Sequence, residues 1–236
     1  MIRVDRAELT RNEIIRVAAN RFLNEGYTKT TVASMAKALN MSTGNMTFHF
    51  PTKDHMLAEL VDMLCKYQWK MMEDEAKDGY SSIMAICLEL LTIASACEQD
   101  EVAKDFFLSS YQSEMCMEHI RKNDTERAKE VFKEYCADWS DEYFSEAEAL
   151  VSGIEYATLF TTSDAAPLDI RVAGALRTIL SIYNVPKALR DKKIKKVLSM
   201  NYQKLGLDTL KKFRKYVDQT TEQALFDLLK RKQIAQ

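Results

Sequence analysis

Apolar residues recur every three to four positions along almost the whole chain, and no segment shows the alternation of a half-buried strand. This period predicts an all-α fold. Six glycines and three prolines among 236 residues also favour long helices over antiparallel strands, which need many turns. The predicted helices cover residues 6–25, 32–39, 43–50, 53–78, 80–97, 101–122, 125–138, 141–162, 168–185, 187–202 and 207–231. Gly26, Pro51, Gly79, Pro167 and Gly206 stand at breaks between them.

The second and third predicted helices have the spacing of a helix-turn-helix. The second carries an apolar stripe at positions i, i+3, i+4 and i+7, formed by Val32, Met35, Ala36 and Leu39. Asn40 follows where the chain must turn sharply, and asparagine tolerates the positive φ that such a turn often requires. Met41 and Met46 then supply apolar anchors for the same core. A small residue, a turn residue and apolar anchors at these offsets are typical of a helix-turn-helix.

The side of the third helix that faces away from this core is polar or small. Its residues are Ser42, Thr43, Gly44, Asn45, Thr47 and His49, together with the aromatic Phe48. Short hydrogen-bonding side chains on a helix in the major groove read base edges or hold phosphates. Gly44 lets the backbone come near a surface. The alternative, a surface helix without a partner, leaves an exposed Phe48 unexplained, so we predict that this helix binds DNA.

A series of residues with specific spacing runs through positions 13–61. It comprises Ala18-Ala19, Phe22, Glu25-Gly26-Tyr27, Thr30-Thr31-Val32, Met35-Ala36, Asn40-Met41-Ser42, Gly44-Asn45 and His49-Phe50-Pro51-Thr52-Lys53. This series resembles the N-terminal domain of the TetR/AcrR (tetracycline-repressor-like) family of transcriptional regulators. The resemblance implies an all-α homodimer with residues 43–49 as the recognition helix. It also implies a C-terminal domain that binds a small molecule and thereby releases the DNA.

The same resemblance implies which residues contact double-stranded DNA. They are Thr31, Ser42, Thr43, Gly44, Asn45, Thr47, Phe48, His49 and Lys53. Thr47 departs from the family, which has a tyrosine there whose phenol touches a phosphate, and threonine reaches less far. Asn40 stands where the family has the turn glycine. For Lys53, which opens the fourth helix, contact with a phosphate and simple solvation are almost equally supported.

The charge distribution divides the chain. Residues 1–66 carry nine Lys and Arg against seven Asp and Glu, residues 67–186 carry ten against twenty-three, and residues 187–236 carry fourteen against five. An acidic middle cannot be the face that meets DNA. We therefore predict a helix-turn-helix domain at 1–66, joined by the long helix to a regulatory and dimerisation domain at 67–236. Its basic extension, residues 187–236, is expected to dock on the acidic middle, with contact to DNA or a membrane surface as the alternative.

Two helices of the second domain are predicted to pair across a dimer axis. The first has an apolar stripe formed by Tyr143, Ala147, Leu150, Val151, Ile154 and Thr158. The next, at 168–185, is apolar or small on most of its surface and must be covered on more than one side. The family resemblance implies a four-helix bundle there, with Leu150, Ile154, Leu176 and Leu180 in the interface. The alternative is that both helices form the core of a monomer.

Residues 67–135 are rich in aromatic rings and sulfur, a composition found both in ordinary cores and in adaptable pockets. We expect an effector pocket between the long helix and the helices of 80–138. The expected ligand residues are Trp69, Asp105, Phe106, Tyr111, Glu114 and Met115. Because Glu89, Asp105 and Glu114 are acids of this region, we expect a hydrophobic and cationic small-molecule effector that meets one buried carboxylate.

Several other functions lack their sequence signatures. The chain has no nucleophile elbow, phosphate-binding loop, dinucleotide fingerprint or metal-ligand spacing, so we expect no catalytic residue, metal or cofactor. Five cysteines without a C-x-x-C pair are expected to be reduced and buried. We also expect no signal peptide, no apolar stretch long enough to span a bilayer, no membrane partner and a cytoplasmic location. An enzyme and a helical adaptor remain the alternatives to the predicted ligand-responsive repressor.

Overall fold

The chain folds into helices joined by short turns. The computed structural model describes residues 6–77 and 81–234, and within these ranges there are eleven helices and no strand. The helices are α1 (Arg6–Asn24), α2 (Val32–Ala38), α3 (Thr43–His49), α4 (Lys53–Lys77), α5 (Ser82–Gln99), α6 (Glu101–Gln112), α7 (Glu114–Phe132), α8 (Asp141–Leu159), α9 (Leu168–Ile182), α10 (Lys187–Leu198) and α11 (Tyr202–Ile234). The all-α prediction is confirmed. The predicted helix end at Gly79 and the predicted start at residue 80 lie outside the described residues.

Helices α1 to α3 and the start of α4 form a helix-turn-helix unit around one small core. Phe22, Met35, Met46, Phe50 and Leu57 are fully buried in it. The turn between α2 and α3 has the predicted geometry, since Asn40 adopts a φ of 50°. The backbone N–H of Met41 donates to Ala36 O at 3.0 Å and closes the turn.

Where the sequence predicted one helix over residues 101–122 and another from residue 125, the chain breaks at Ser113. Ser113 has extended backbone, with φ −91° and ψ 122°, and separates α6 from α7. No glycine or proline marks this break. Asn123 and Asp124, which resemble helix-start residues, instead lie inside α7 and turn their side chains to Trp69 and Arg127. The predicted boundary was wrong because neither residue caps a helix start: Asn123 bonds to Trp69 of α4, and Asp124 pairs with Arg127 one turn later in α7.

Helix α11 corrects a second boundary, since it continues through Gly206 where a break was predicted. A Cβ at Gly206 would lie 2.8 Å from Thr92 O and 3.0 Å from Ala96 N. The glycine therefore serves close packing of the α11 backbone against α5.

Helix α5 contradicts the expectation that no stretch is long and apolar enough to cross a membrane. Its 18 residues, Ser82–Gln99, have a mean hydropathy of 1.4, and 67% of them are buried inside the protein. It is the one described helix with this length and composition. The core helix of a globular protein has the same properties, so the observation is weak evidence for a membrane span.

Candidate DNA-binding surface and effector cavity

Helix α3 presents an exposed face beside a buried anchor. Thr43, Gly44, Asn45 and Phe48 are exposed, whereas Met46 is fully buried. Thr47 and His49 are half-buried at the edge of this face. Because the anchor fixes the rotation of the helix, the four exposed residues keep one orientation relative to the rest of the domain.

Hydroxyl groups of the predicted DNA-binding set cap the two short helices. Thr31 Oγ1 accepts from Ser34 N at 3.1 Å and begins α2, and Ser42 Oγ accepts from Asn45 N at 3.1 Å and begins α3. Thr47 Oγ1 donates to Gly44 O at 3.1 Å. Such caps satisfy backbone donors that a helix start leaves unpaired. Thr31 and Ser42 therefore stabilise the helix-turn-helix unit through these caps.

Two groups on α3 remain available for a partner. Among the described residues, the Thr43 hydroxyl and the Asn45 side-chain amide have no hydrogen-bond partner. A Cβ placed on Gly44 would meet only Ser42 Oγ, at 4.0 Å. Internal packing thus does not require glycine at position 44, and the space beside it is open to an approaching surface.

Arg11 of α1 holds the C-terminal end of α3. Its Nη1 donates to His49 O at 3.1 Å, its guanidinium lies 4.0 Å from the centre of the Phe50 ring, and its Nη2 pairs with Glu59 Oε2 at 2.6 Å. These contacts tie α1, α3 and α4 together at the edge of the exposed face. The sequence did not identify this role of Arg11.

The Lys53 side chain is less exposed to solvent than either interpretation of the sequence assumed. Its Nζ donates to Tyr27 O at 2.9 Å and to Thr30 O at 3.1 Å, and lies 4.0 Å from the centre of the Tyr27 ring. Burial lowers the pKa of Lys53 from its usual value. An ammonium has three N–H donors. Two of those of Lys53 hold the start of α4 against the turn before α2. Lys53 is a positioning residue, and its contact with a phosphate stays a prediction.

Asp105 joins α6 to the helix-turn-helix unit, although the sequence placed it in the effector pocket. Its carboxylate accepts from the backbone N–H of Thr28 at 2.8 Å and from the Thr28 hydroxyl. Gly26 has a φ of +99°, and a Cβ there would lie 2.9 Å from Asp105 Oδ2. A side chain at position 26 would therefore crowd the carboxylate out of this contact.

The C-terminal helix α11 forms a second connection to the helix-turn-helix unit. Arg214 of α11 donates to Leu23 O in the last turn of α1, and Arg16 of α1 pairs with Glu222 at 3.2 Å. Tyr67 of α4 packs against Phe213, with ring centroids 5.7 Å apart. The extension docks on the middle of the chain, as expected, and it also reaches α1, which the sequence did not predict.

A cavity lies among α4 to α9 and is small, with a free volume of about 60 Å³. That volume holds only a few water molecules. Most of its wall is apolar. Its polar wall residues are Gln68, Glu89, Ser110, Tyr111, Asp124, Arg127, Glu148, Glu155 and Tyr183. Four of these are acids, and Arg127 is the one lysine or arginine among the lining residues.

The buried groups of the cavity form two sets of hydrogen bonds. Arg127, with 3% of its side chain exposed, pairs with Glu89 and with Asp124 Oδ1, the latter at 3.2 Å. Tyr111 donates to Glu155 Oε2 at 2.8 Å, and the Tyr183 hydroxyl donates to Glu148.

One cation faces four acids in this cavity, and the pKa values of Asp124, Glu148 and Glu155 are raised, first of all by burial. Burial raises the pKa of Asp124 to about 6, an effect that Arg127 partly opposes. Burial, with the charge of Asp124, raises the pKa of Glu148 to about 8. The pKa of Glu155 is raised well above its usual value by burial and by the charges of Asp124 and Glu148. Near neutral pH some of these carboxyl groups therefore hold a proton.

Of the predicted ligand residues, Tyr111 alone lies on the cavity wall. Asp105 instead binds Thr28. Trp69 donates to Asn123 Oδ1 at 2.7 Å, and Phe106 is fully buried in the core while its neighbour Phe107 lines the cavity. Glu114 is exposed at the start of α7, and Met115 packs on the core beside it. Five of the six predicted ligand residues thus lie off the wall of this cavity, because composition does not show which face of each helix turns inward.

The sequence missed most of the cavity's charged wall. Asp124, Arg127, Glu148 and Glu155 were not predicted, although Glu89 was among the acids considered. The sequence of α8 does contain a signal for this wall. Glu148 and Glu155 fall at helical spacing on the same face as the buried Phe144 and Val151. Acids at core positions of an amphipathic helix indicate a buried polar site.

The predicted dimer residues divide into two groups. Leu176 and Leu180 are fully buried inside the protomer and cannot form an interface. Leu150 is 54% exposed, and Ile154 is half-buried. Other large apolar side chains are exposed on the same two helices: Tyr143 and Phe160 on or just beyond α8, and Ile170 on α9. The interface set predicted on α9 was wrong because its inward stripe packs on the domain's own core.

The described residues contain no group of three or more His, Cys, Asp and Glu side chains that could hold a metal ion. The five cysteines are unpaired and buried, as predicted. Burial raises the pKa of Cys87 and of Cys97 to about 12, so these thiols stay protonated.

Comparison with known proteins finds relatives of the N-terminal unit. The family model described as bacterial regulatory proteins, tetR family, matches residues 14–60. The HTH-type transcriptional regulator QacR of Staphylococcus aureus (strain Mu50 / ATCC 700699) is 30% identical over 70 residues, which are 28% of this chain and 37% of QacR. The chain thus matches less than half the length of this relative.

Solved structures resemble a larger part of the chain at lower identity. A gamma-butyrolactone receptor (ArpA-like protein) is 19% identical, with 82% of this chain and 96% of that chain covered and a TM-score of 0.46. CprB of Streptomyces coelicolor, solved in complex with its biological operator sequence, is 20% identical, with 82% and 96% covered and a TM-score of 0.44.

The region of the family match extends from within α1 to the second turn of α4. It therefore contains the capped α2, the left-handed turn at Asn40 and the whole of α3. The geometry of this unit and the family match agree. Over residues 14–60 the chain is therefore similar to the tetR family of bacterial regulatory proteins.

Proposed function

We propose that the protein is a DNA-binding transcriptional regulator, a repressor that a small molecule releases from a pseudo-palindromic operator. The observation that carries the proposal is the exposed face of α3, where Thr43 and Asn45 offer unpaired polar groups beside the open space at Gly44. Polar side chains on a rigid helix of this kind read base edges in the major groove. The proposal makes residues 1–66 the DNA-binding domain of a cytoplasmic protein that is not an enzyme.

The regulator acts as a homodimer in this proposal. Leu150 and Ile170 belong to an exposed apolar face on α8 and α9, which a second copy would cover. Gly153 and Gly174 lie on the same helices, and a Cβ at either would meet nothing within 4 Å. Small residues let helices from two copies approach closely. Two-fold symmetry places two recognition helices about 34 Å apart, which is one turn of DNA.

The effector that suits the cavity is an aromatic or aliphatic cation. Glu148 and Glu155 have no cation among the lining residues to balance them, because Arg127, the one cation there, pairs with Glu89 and Asp124. Buried acids in this position either hold protons or bind a positive group. Tyr111 and Phe107 supply rings for the apolar part of such a ligand.

Entry of a ligand must displace the cavity walls, since the free volume is about 60 Å³. Helix α6 contributes Phe107 and Tyr111 to the wall and holds Thr28 through Asp105. Helix α4 contributes four residues between Val61 and Gln68 to the wall, and it begins at Lys53 against the DNA-binding unit. Displacement of either helix would change the position of α3. Release of DNA follows because the effector binds the displaced arrangement more tightly.

Selection from random-sequence DNA duplexes tests DNA recognition and does not require a known operator. We expect the wild-type protein to enrich a two-fold symmetric site. Thr43→Ala and Asn45→Ala should each relax base preference within that site, since one good base contact contributes about 1–3 kcal/mol of discrimination. Asn20→Ala, on an exposed position of α1, is the matched control and should leave preference unchanged. Failure of the wild-type protein to enrich any site would overturn the proposal.

A further inference from the structure

Phe48 is the most exposed large apolar side chain among the described residues, with 78% of its surface accessible. It lies on α3 between Met46 and Phe50, which are both buried. Within the described part of the chain its one ring contact is edge-on to His49, at 5.4 Å between centroids. The core of the domain therefore does not account for the presence of an aromatic ring at this position.

The ring lies on the same face as the residues proposed to meet DNA. Residues three and four apart are neighbours on a helix, so Phe48 is adjacent to Asn45 and Gly44. Gly44 leaves open space next to the ring. A surface that approaches Asn45 closely enough for a hydrogen bond must also meet Phe48.

Phe48 carries no hydrogen-bond donor, so it cannot bind a phosphate or the polar edge of a base. The major groove presents one prominent apolar group, the C5-methyl group of thymine. We propose that Phe48 packs against a thymine methyl group next to the base pair that Asn45 contacts, and so determines part of the operator sequence. This inference rests on the proposed function, since it requires α3 to enter the major groove.

Removal of the methyl group alone gives the sharpest test. Each thymine of a selected operator half-site is replaced in turn by deoxyuridine, which keeps base pairing and lacks only the methyl. We expect one position per half-site to lower wild-type affinity about four-fold, because burial of one methyl-sized group contributes that much. The remaining positions serve as internal controls.

The variant Phe48→Ala connects the effect to the ring. It should bind the thymine operator more weakly than the wild type and should not distinguish thymine from uracil at that position. Phe48→Leu keeps an apolar contact and should retain part of the discrimination. Both variants should fold, since the ring is exposed, and thermal unfolding checks this.

The outcomes separate this inference from the function on which it rests. If the wild-type protein binds its selected site but no deoxyuridine replacement weakens binding, Phe48 does not read a methyl group and the inference alone is wrong. The same holds if Phe48→Ala keeps the full preference for thymine. If the wild-type protein selects no DNA sequence, both are wrong.

Discussion

Asp105 on α6 accepts a hydrogen bond from the backbone N–H of Thr28 at 2.8 Å, and this contact joins the wall of the cavity to the helix-turn-helix unit. Farther along the same helix, Phe107, Ser110 and Tyr111 face the cavity. One short helix thus meets both regions. Movement of α6 at the cavity must either move the turn at Thr28 or break this bond.

The variant Asp105→Asn tests this connection. It keeps the shape of the side chain but removes the charge, and a hydrogen bond to a charged group contributes about 1.5–3 kcal/mol where it is sheltered. Asp105 is half-buried, so we expect a loss of about 1 kcal/mol in the free energy of unfolding. We also expect a cation such as benzyltrimethylammonium to release less DNA from the variant than from the wild type.

Operator affinity measured with and without the cation gives the coupling directly. Glu114→Gln is the matched control, because Glu114 is an exposed acid at the start of α7 and should leave the coupling unchanged. Equal release by Asp105→Asn and the wild type would place the connection elsewhere, with the Arg214 contact to Leu23 O as the next candidate.

Gly44 and Gly206 should respond to alanine in opposite ways. Gly44→Ala should raise the free energy of unfolding by about 0.5–1 kcal/mol, since alanine favours helix and the added Cβ has open space. DNA affinity should fall, because the methyl group occupies the space that the partner approaches. Gly206→Ala should lower the free energy of unfolding by about 1–3 kcal/mol, because its Cβ would lie 2.8 Å from the backbone oxygen of Thr92.

Chemical denaturation measures both stabilities, and binding to a selected duplex measures affinity. A Gly44→Ala variant that binds DNA as tightly as the wild type would show that the backbone at position 44 does not approach DNA.

The helix-turn-helix could be predicted from the sequence because its determinants are local. The Thr31 cap, the Asn40 turn and the buried Met46 each follow from residues a few positions apart. The break at Ser113 could not be predicted in this way, because no glycine or proline marks it and the extended backbone depends on the packing of α6 and α7.

The cavity was harder to predict because it is assembled from six helices. The aromatic composition of residues 67–135 indicated a region and correctly placed Tyr111 near it, but Phe106 and Phe107 are identical in type and differ only in the face they present. Gly206 shows the same limit, since a glycine at a helix break and a glycine at a helix crossing look alike in one sequence.

Leu150 and Leu180 distinguish the proposed dimer face from the core. Leu150→Glu should leave the fold intact, because the side chain is 54% exposed, and should shift the protein to monomers. Leu180→Glu should unfold the protein or destabilise it by several kcal/mol, because it buries an unpaired charge. Analytical ultracentrifugation measures the first effect and thermal unfolding the second. A folded Leu150→Glu dimer with unchanged mass would place the interface away from this part of α8.

Cation binding in the cavity should depend on pH in a defined direction. The pKa of Asp124 is about 6 and that of Glu148 about 8, so both carboxyl groups lose protons as the pH rises from about 5.5 to about 8.5. A cation favours the ionised carboxylates and must displace their protons at low pH. The affinity for benzyltrimethylammonium, whose charge does not titrate, should therefore increase about ten-fold across this range. Calorimetry in buffers of different ionisation enthalpy should detect proton release on binding near neutral pH.

Two controls complete this last experiment. Neopentylbenzene has the shape of benzyltrimethylammonium without its charge, and its affinity should not rise with pH. Glu148→Gln removes the carboxyl group with the higher of the two pKa values, so most of the rise on the alkaline side should disappear while binding near pH 6 persists through Asp124. If the neutral compound binds with equal or greater affinity at every pH, the excess acids of the cavity serve to hold protons, and the effector is not a cation.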